Sequence, residues 1–142
     1  MYKKILITLE NGPADATIIP HIAELAGHFG SEILLLHVAD GWAARSYDQL
    51  KLAESEEIKE DRAYLERVAE QLRAGKLTVT TLLAMGDPPT EILKIAAEEQ
   101  CDLIAMTSHG HRLLGDLLHG STITKVRHYT NIPLLILRAK KV

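Results

Sequence analysis

Four short stretches of the chain consist almost entirely of apolar side chains: Ile5–Leu9, Ile33–Leu36, Leu103–Met106 and Leu134–Leu137. Their apolar positions are continuous rather than alternating, which is typical of strands buried on both faces of a parallel sheet. A fifth stretch, Leu77–Ala84, is rich in threonine and partly alternates, as expected for a strand at the edge of a sheet. The pattern therefore predicts five strands.

Between these stretches, apolar residues recur with the spacing of an amphipathic helix. The groups that share a helical face are Ile58, Leu65, Val68 and Leu72; Ile92, Ile95 and Ala96; and Ile123 and Val126. Strands and helices thus alternate along the whole chain, which favours an α/β fold with a doubly wound five-stranded parallel sheet and right-handed crossovers. We expect a single domain over residues 1–142.

Local signals predict where the helices begin. Asn11-Gly12-Pro13 predicts a cap and a first-turn proline after the first strand, and Asp87-Pro88 repeats this arrangement after the threonine-rich strand. Pro20 falls inside the first helix, where it predicts a kink. The acidic stretch Glu54–Asp61 predicts the solvated start of a long helix, with its carboxylates near the positive end of the helix dipole.

Composition and charge narrow the class of protein. The chain has 142 residues, of which 46% are hydrophobic and 25% charged, and its formal net charge is −3. A nucleic-acid-binding protein normally shows a basic excess or stripe, so nucleic acid is not expected as a partner. Cys101 is the single cysteine, which excludes an intrachain disulfide. No apolar run approaches the roughly 20 residues of a membrane span, so we expect no membrane association and a cytoplasmic location.

The residues after the fourth strand carry the strongest functional signal. Ligands of doubly wound sheets bind at the carboxyl ends of the strands, and Thr107–Thr122 follows such an end. Gly110 allows close approach of a ligand to the backbone, and Gly120-Ser121-Thr122 is expected to open the final helix, whose N–H groups favour an anion. Alternatively, Gly110 is only a turn residue and Ser121 only a helix cap. The combined spacing favours a phosphate site.

Gly110, nine further residues and then Gly120-Ser121 match most of the G-x2-G-x9-G-[ST] nucleotide motif of the universal stress proteins, a family that the chain resembles over essentially its whole length. Other matching segments are Met1–Leu6, Leu34–Val38, Gly86-Asp87-Pro88 and Pro133–Leu137. The resemblance implies a Rossmann-like sheet of the adenine nucleotide alpha hydrolase type, in the order 3-2-1-4-5. It also implies that ATP or a related adenine nucleotide, with or without Mg²⁺, binds between the ends of strands one and four.

By the same resemblance, Gly110, Gly120 and Ser121 would hold the phosphates, Val38 would line the adenine side, and Pro133–Leu137 would pair two chains into a homodimer. The other expected nucleotide-binding residues are Leu9, Glu10, Thr107, His109, His111, Arg112 and Thr122. The implied function is that of a dimeric sensor or regulator in a stress response, acting with a regulatory protein partner that the sequence does not identify.

Two residues depart from the pattern of the family. Thr107 stands where the motif has its first glycine, and its Cβ would crowd the ligand or its hydroxyl would add a donor. Glu10 stands where the family usually has Asp after the first strand, which keeps the charge but adds a methylene. These differences leave the affinity and the base preference open.

Some histidine-containing segments resemble motifs of other chemistry. His109-Gly110-His111 resembles the HxGH motif of nucleotidyl transferases, but that motif belongs after the first strand, and no matching lysine loop is present. A metal site of His109, His111 and His119 fits no established zinc spacing. Two alternatives to a nucleotide-binding regulator remain: a slow ATPase or phosphotransferase that uses Asp40 or Glu10 with Mg²⁺, and a nucleotide-free interaction module.

Three further residues have both a structural and a functional interpretation. His37, near the end of a buried strand, is expected to be a core residue with satisfied hydrogen bonds, and Cys101 a small apolar filler. Trp42 would either cover a nucleotide base or pack on its own domain.

Overall fold

The computed structural model describes residues 1–39, 56–109 and 114–140, with the backbone alone over 114–120. Strands and helices alternate through these residues. They are β1 (Lys4–Thr8), α1 (Asp15–Phe29), β2 (Glu32–Ala39), α2 (Glu56–Ala74), β3 (Thr78–Met85), α3 (Pro88–Glu98), β4 (Leu103–Ser108), α4 (Leu114–Tyr129) and β5 (Leu134–Arg138).

The five strands form one parallel sheet in the order β3-β2-β1-β4-β5, which confirms the predicted fold class and strand order. The central strand β1 pairs with β2 on one side and with β4 on the other. The winding direction reverses at β1, so the carboxyl ends of β1 and β4 flank the crevice in which such sheets bind ligands. The threonine-rich strand β3 lies at an edge, as predicted.

Alternate residues of each central strand enter two separate core layers. Ile5 and Ile7 of β1 pack with α1 and α2 in one layer, and Leu6 packs with α3 and α4 in the other. This two-sided burial explains why the central strands carry continuous apolar runs. Burial on both faces is wrong for Leu134–Leu137, because β5 is an edge strand and leaves Ile136 38% exposed.

The two predicted proline-associated helix starts have different outcomes. Asp87 caps α3 as predicted, since its carboxylate accepts a hydrogen bond from the Thr90 N–H. The predicted cap at Asn11-Gly12-Pro13 is wrong. α1 begins at Asp15, and Ala14 at its N-cap makes no side-chain bond to the helix. Asn11 instead adopts a positive φ of 59° and turns its amide toward α2. Pro20 lies inside α1, as predicted.

Of the other two helix starts, that of α2 agrees with the prediction except at one residue, and that of α4 differs from it. Within Glu54–Asp61, helix α2 begins at Glu56, and Asp61 is buried rather than solvated because it receives hydrogen bonds from neighbouring elements. The final helix α4 begins at Leu114, so Gly120 and Ser121 lie inside it and do not open it. The helical backbone continues through this glycine, which ordinary helix geometry tolerates at a cost of about 1 kcal/mol. In the described part of the chain, no helix is long and apolar enough to cross a membrane.

Candidate functional site

A cavity of about 270 Å³ opens at the carboxyl ends of β1, β2 and β4, where the winding of the sheet reverses. Its walls also include the start of α3 and the middle of α4. The lining residues are Thr8, Leu9, Glu10, Leu36, His37, Val38, Pro88, Ile92, Met106, Thr107, Thr122 and Ile123. Its position is the one at which doubly wound sheets bind their ligands.

Most residues that line the cavity are apolar, and a few are polar. Val38, Ile92 and Met106 supply aliphatic surface, whereas Glu10 supplies a carboxylate and Thr107 a hydroxyl. Thr107 is itself 4% exposed, and therefore buried in the cavity wall. Apolar walls with a few fixed polar groups are the usual construction of a site for a small organic ligand.

Two residues connect the ends of β1 and β4 beside this cavity. The Nε2 atom of His109 lies 2.9 Å from each carboxylate oxygen of Glu10. Both side chains are largely buried, so solvent screens this contact less than it screens a surface pair. The contact places a carboxylate and an imidazole side by side at the edge of the cavity.

The backbone of the loop that follows β1 donates hydrogen bonds to a buried carboxylate. Asp15, only 2% exposed, accepts hydrogen bonds from the backbone N–H groups of Glu10 and Asn11, at 3.0 and 2.9 Å. It also accepts a 2.6 Å hydrogen bond from the Tyr64 hydroxyl of α2. A carboxylate with several donors can stay ionised in a buried position. Burial and the hydrogen bond to Asp15 both raise the pKa of Tyr64, so its hydroxyl remains a donor.

A second buried carboxylate, Asp61 of α2, is hydrogen-bonded to a side chain of the same loop. Its Oδ1 accepts a 2.9 Å hydrogen bond from the Asn11 amide, and its Oδ2 lies 3.2 Å from the His37 Nε2. The other ring nitrogen of His37, Nδ1, lies 2.7 Å from the Leu9 carbonyl oxygen. His37 is therefore satisfied by partners on both sides, as predicted, and it also lines the cavity.

The predicted site residues separate into three groups. Leu9, Glu10, Val38, Thr107 and Thr122 line the cavity, and His109 contacts Glu10 beside it. Ser121 is exposed on α4, and only the backbone of Gly120 is described. The predicted residues that lie outside the described part of the chain are Gly110, His111, Arg112, Asp40 and Trp42, together with the side chain of His119. Among the described side chains, no group of three or more could hold a metal ion.

Sequence reasoning missed the apolar walls of the cavity and the network behind it. Pro88 and Ile92 were assigned to a helix start and a core face, although the turn after β3 brings both to the same edge of the sheet. Asp61 gave no signal of its own, since it stands among other acidic residues. The position of His37 at the carboxyl end of a central strand was the one available signal for its place in the site.

The comparison with known proteins agrees with this architecture. A model of the universal stress protein family matches residues 1–138. The chain belongs to the universal stress protein family. Among its relatives, it is 28% identical to universal stress protein MJ0577 of Methanocaldococcus jannaschii, over 99% of this chain and 97% of the relative. It is 26% identical to universal stress protein YxiE of Bacillus subtilis, over 97% of this chain and all of the relative.

Solved structures of the family share the fold. The structure of protein MJ0577 matches 100% of this chain and 99% of its own, with a TM-score of 0.82 and 29% identity. A universal stress protein in complex with cAMP matches with a TM-score of 0.71 at 14% identity, over 98% of each chain. One from Archaeoglobus fulgidus in complex with dAMP matches with a TM-score of 0.68 at 18% identity, over 95% of this chain and 97% of its own. The last two likenesses concern the fold alone.

Proposed function

We propose that this universal stress protein binds an adenine nucleotide, most favourably ATP. It acts as a cytoplasmic, homodimeric sensor or regulator that hydrolyses ATP slowly at most. The observation that supports it best is the cavity between the ends of β1 and β4, in a family with members solved in complex with cAMP and dAMP. A purine ring suits the aliphatic residues of its lining. The phosphates would be held by local donors, because the net charge of −3 supplies no general positive field.

The residues present fit such a ligand in kind. Val38 and Ile92 offer apolar contact for the face of a base, and Thr107 and Thr122 are hydroxyl-bearing residues of the same lining. Thr107 stands where the family motif has glycine, so its buried hydroxyl would contribute a donor at this point. The family motif implies a phosphate role for Gly110, Gly120 and Ser121, although Gly120 and Ser121 lie inside α4 rather than at its start. Mg²⁺ is compatible with such a site, since it requires few protein ligands when phosphates bind it.

The direct test is to denature freshly purified protein and identify any released ligand by mass spectrometry, followed by calorimetric titration of ligand-free protein with ATP, AMP and cAMP, with and without Mg²⁺. Val38→Trp places an indole in the cavity and should reduce the affinity at least tenfold. Thr80→Trp, which places the same side chain at an exposed position of β3, is the control and should bind as the original chain does. Absence of a released nucleotide, together with no binding in titration, would overturn the proposal and favour a nucleotide-free interaction module.

The dimer part of the proposal rests on the edge strand β5. Among the described strands only β4 pairs with it, so its outer edge has no strand partner in that part of the chain, and its exposed side chains include Ile136. An exposed apolar edge strand is a natural template for pairing with a second copy. The opposite edge strand, β3, carries exposed Thr78 and Thr80 instead, which makes it the less suitable surface.

A further inference from the structure

We propose that His37 and Asp61 are positioning residues of the nucleotide site: a buried, charged pair that fixes the loop after β1 and makes binding at this cavity respond to pH. The proposal rests on the proposed function for the identity of the ligand. It adds that α2, which contributes no residue to the cavity lining, fixes the position of a loop that does.

The two ring nitrogens of His37 each face an oxygen atom, and this geometry bears on how many hydrogens the ring carries. Nδ1 faces the Leu9 carbonyl oxygen at 2.7 Å, and Nε2 faces a carboxylate oxygen of Asp61 at 3.2 Å. The Leu9 carbonyl oxygen is an acceptor, and so is the Asp61 carboxylate while it is ionised, so with an ionised Asp61 both contacts are attractive only if each ring nitrogen carries a hydrogen. A ring with two N–H groups is an imidazolium, and Asp61 is the anion that balances it. The side chains are 13% and 9% exposed, so water does not replace either partner.

This pair acts on the site through the backbone of the loop. Leu9 and Glu10 line the cavity, and the carbonyl that His37 holds belongs to Leu9. Asp61 also holds the Asn11 amide, so the pair restrains the loop at both ends of Glu10. A binding group must be held within a fraction of an ångström to keep its contacts, and such precision comes from supporting hydrogen bonds of this kind.

The ionisable groups around His37 are few in the part of the chain that the structure describes. From α2 the ring faces Asp61, and from the loop after β1 it faces the Leu9 carbonyl, with Glu10 in the same cavity. On β3 its partner in the sheet is the apolar Leu83. Glu10 is engaged by His109, so Asp61 is the carboxylate on which the charge of the ring depends.

Deprotonation of His37 leaves one ring nitrogen without a hydrogen, and the lone pair of that nitrogen then faces an acceptor oxygen. One of the two contacts is then lost, the loop is released from β2 or from α2, and nucleotide affinity falls as pH rises. The loss of one hydrogen bond at a supporting position corresponds to about a fivefold decrease in affinity.

Asp61→Asn provides a test that a purely structural role would not pass. The asparagine amide can donate to the bare Nε2 of a neutral ring while Nδ1–H keeps the Leu9 carbonyl and the asparagine oxygen keeps the Asn11 amide. The variant therefore satisfies a neutral His37 and is disturbed by a charged one. We expect its affinity to fall as the pH is lowered, which is the opposite of the original chain.

The experiment is calorimetric titration with ATP across the range in which histidine titrates, about pH 5 to 8. Glu60→Gln removes the same charge from an exposed position one residue away and is the matched control. The titration of the ATP phosphates contributes equally to the pH dependence of both variants, so their difference is free of it. His37→Gln removes the titrating ring and should abolish the pH response that remains after this correction. The proposal is overturned if Asp61→Asn and Glu60→Gln show the same pH dependence.

A second measurement separates this proposal from the proposed function. The ¹⁵N resonances of the His37 ring report whether both nitrogens carry hydrogen, and exchange of the Asn11 amide reports how firmly the loop is held. If no protein binds ATP at any pH, the proposed function fails, and these two measurements still decide the positioning role. A His37 ring that is a neutral tautomer at slightly acidic pH in the original chain would refute the positioning role even where ATP binds.

Discussion

The imidazole of His109 lies 2.9 Å from both carboxylate oxygens of Glu10, which joins the carboxyl ends of β1 and β4. These are the two strands between which the winding of the sheet reverses. Glu10 is also part of the cavity lining, so under the proposed function its carboxylate would lie near the phosphates of the ligand. His109 contacts both oxygens of this carboxylate, and this contact would reduce the repulsion between the carboxylate and a phosphate.

His109→Ala should therefore weaken the binding of ATP more than that of adenosine, which carries no phosphate. We expect the ratio of the two affinities to decrease about fivefold, because the Glu10 carboxylate loses a hydrogen-bond partner at the edge of the cavity. The double variant Glu10→Gln/His109→Ala should restore the ratio, since the unbalanced charge is then absent. His128→Ala, on the exposed end of α4, is the control. An unchanged ratio in calorimetry would show that Glu10 does not face the phosphates.

The Tyr64 hydroxyl is one of three donors to the buried Asp15 carboxylate. Tyr64→Phe removes this hydrogen bond and leaves the ring packing intact, so the free energy of unfolding should decrease by about 1.5 kcal/mol, the usual value for a hydrogen bond to a charged group. Denaturant unfolding measures the change, and Tyr129→Phe, at a residue that is 72% exposed, should have no effect. Equal stability of the two variants would show that the Asp15 cluster does not need its third donor.

Much of the fold could be predicted from the sequence because each central strand is buried on both faces and so shows a continuous apolar run. The edge position of β3 followed from its threonines, and the start of α3 from Asp87, whose carboxylate caps the helix as expected. These features depend on local pattern, which a sequence displays directly.

The features that could not be predicted depend on contacts between distant residues. Asp61 stands in an acidic helix start that looks solvated, and its burial follows from His37 and Asn11, which lie 24 and 50 residues away in the chain. Asn11 was predicted to cap α1, but its side-chain amide donates a hydrogen bond to Asp61 of α2 and its backbone has a left-handed conformation. The start of α4 at Leu114 was missed because Gly120-Ser121 has the composition of a helix start although the helix continues through it.

Cys101 is buried, as its interpretation as an apolar filler predicted. Burial is the main cause that raises the pKa of its thiol to about 11. At pH 8 only about one thiol in a thousand is then ionised, and the native protein should not react with a thiol reagent such as Ellman's within an hour. The same thiol should react fully in denaturant. Thr80→Cys, exposed on β3, is the positive control and should react within seconds. Rapid labelling of Cys101 in the native chain would contradict its burial.

The proposed homodimer predicts a specific response at β5. Ile136→Glu places a charge on the exposed part of this edge strand, where it is tolerated by the single chain but costly in a paired interface. Sedimentation should then show monomers at concentrations at which the original chain is dimeric. Thr80→Glu makes the same change on the opposite edge and should leave the dimer intact. A dimer that persists in Ile136→Glu would locate the interface elsewhere.

Asp102 ties the start of β1 to the start of β4, and this contact should make stability depend on acid pH. Its carboxylate accepts hydrogen bonds from the backbone N–H groups of Lys3 and Lys4, at 2.8 and 3.0 Å. Burial alone would raise the pKa of Asp102, but the hydrogen bonds from the N–H groups of Lys4, Lys3 and Asp102 itself, together with the charge of the N-terminus, outweigh it, and the pKa lies below its ordinary value.

A carboxyl group whose pKa is lower in the folded chain stabilises it fully above the pKa of the unfolded chain, about 4, and loses that contribution as pH falls through the lower folded value. Asp102→Asn should thus lower the free energy of unfolding by about 1 kcal/mol at neutral pH, a modest effect because solvent screens this partly exposed group. The difference from the original chain should shrink toward pH 2, where Asp102 is protonated and resembles the amide. Glu98→Gln, exposed at the end of α3, is the control for loss of charge. A difference that stays constant from neutral to acid pH would mean that the ionised form of Asp102 contributes nothing, and that only the shape of the side chain holds the two strands together.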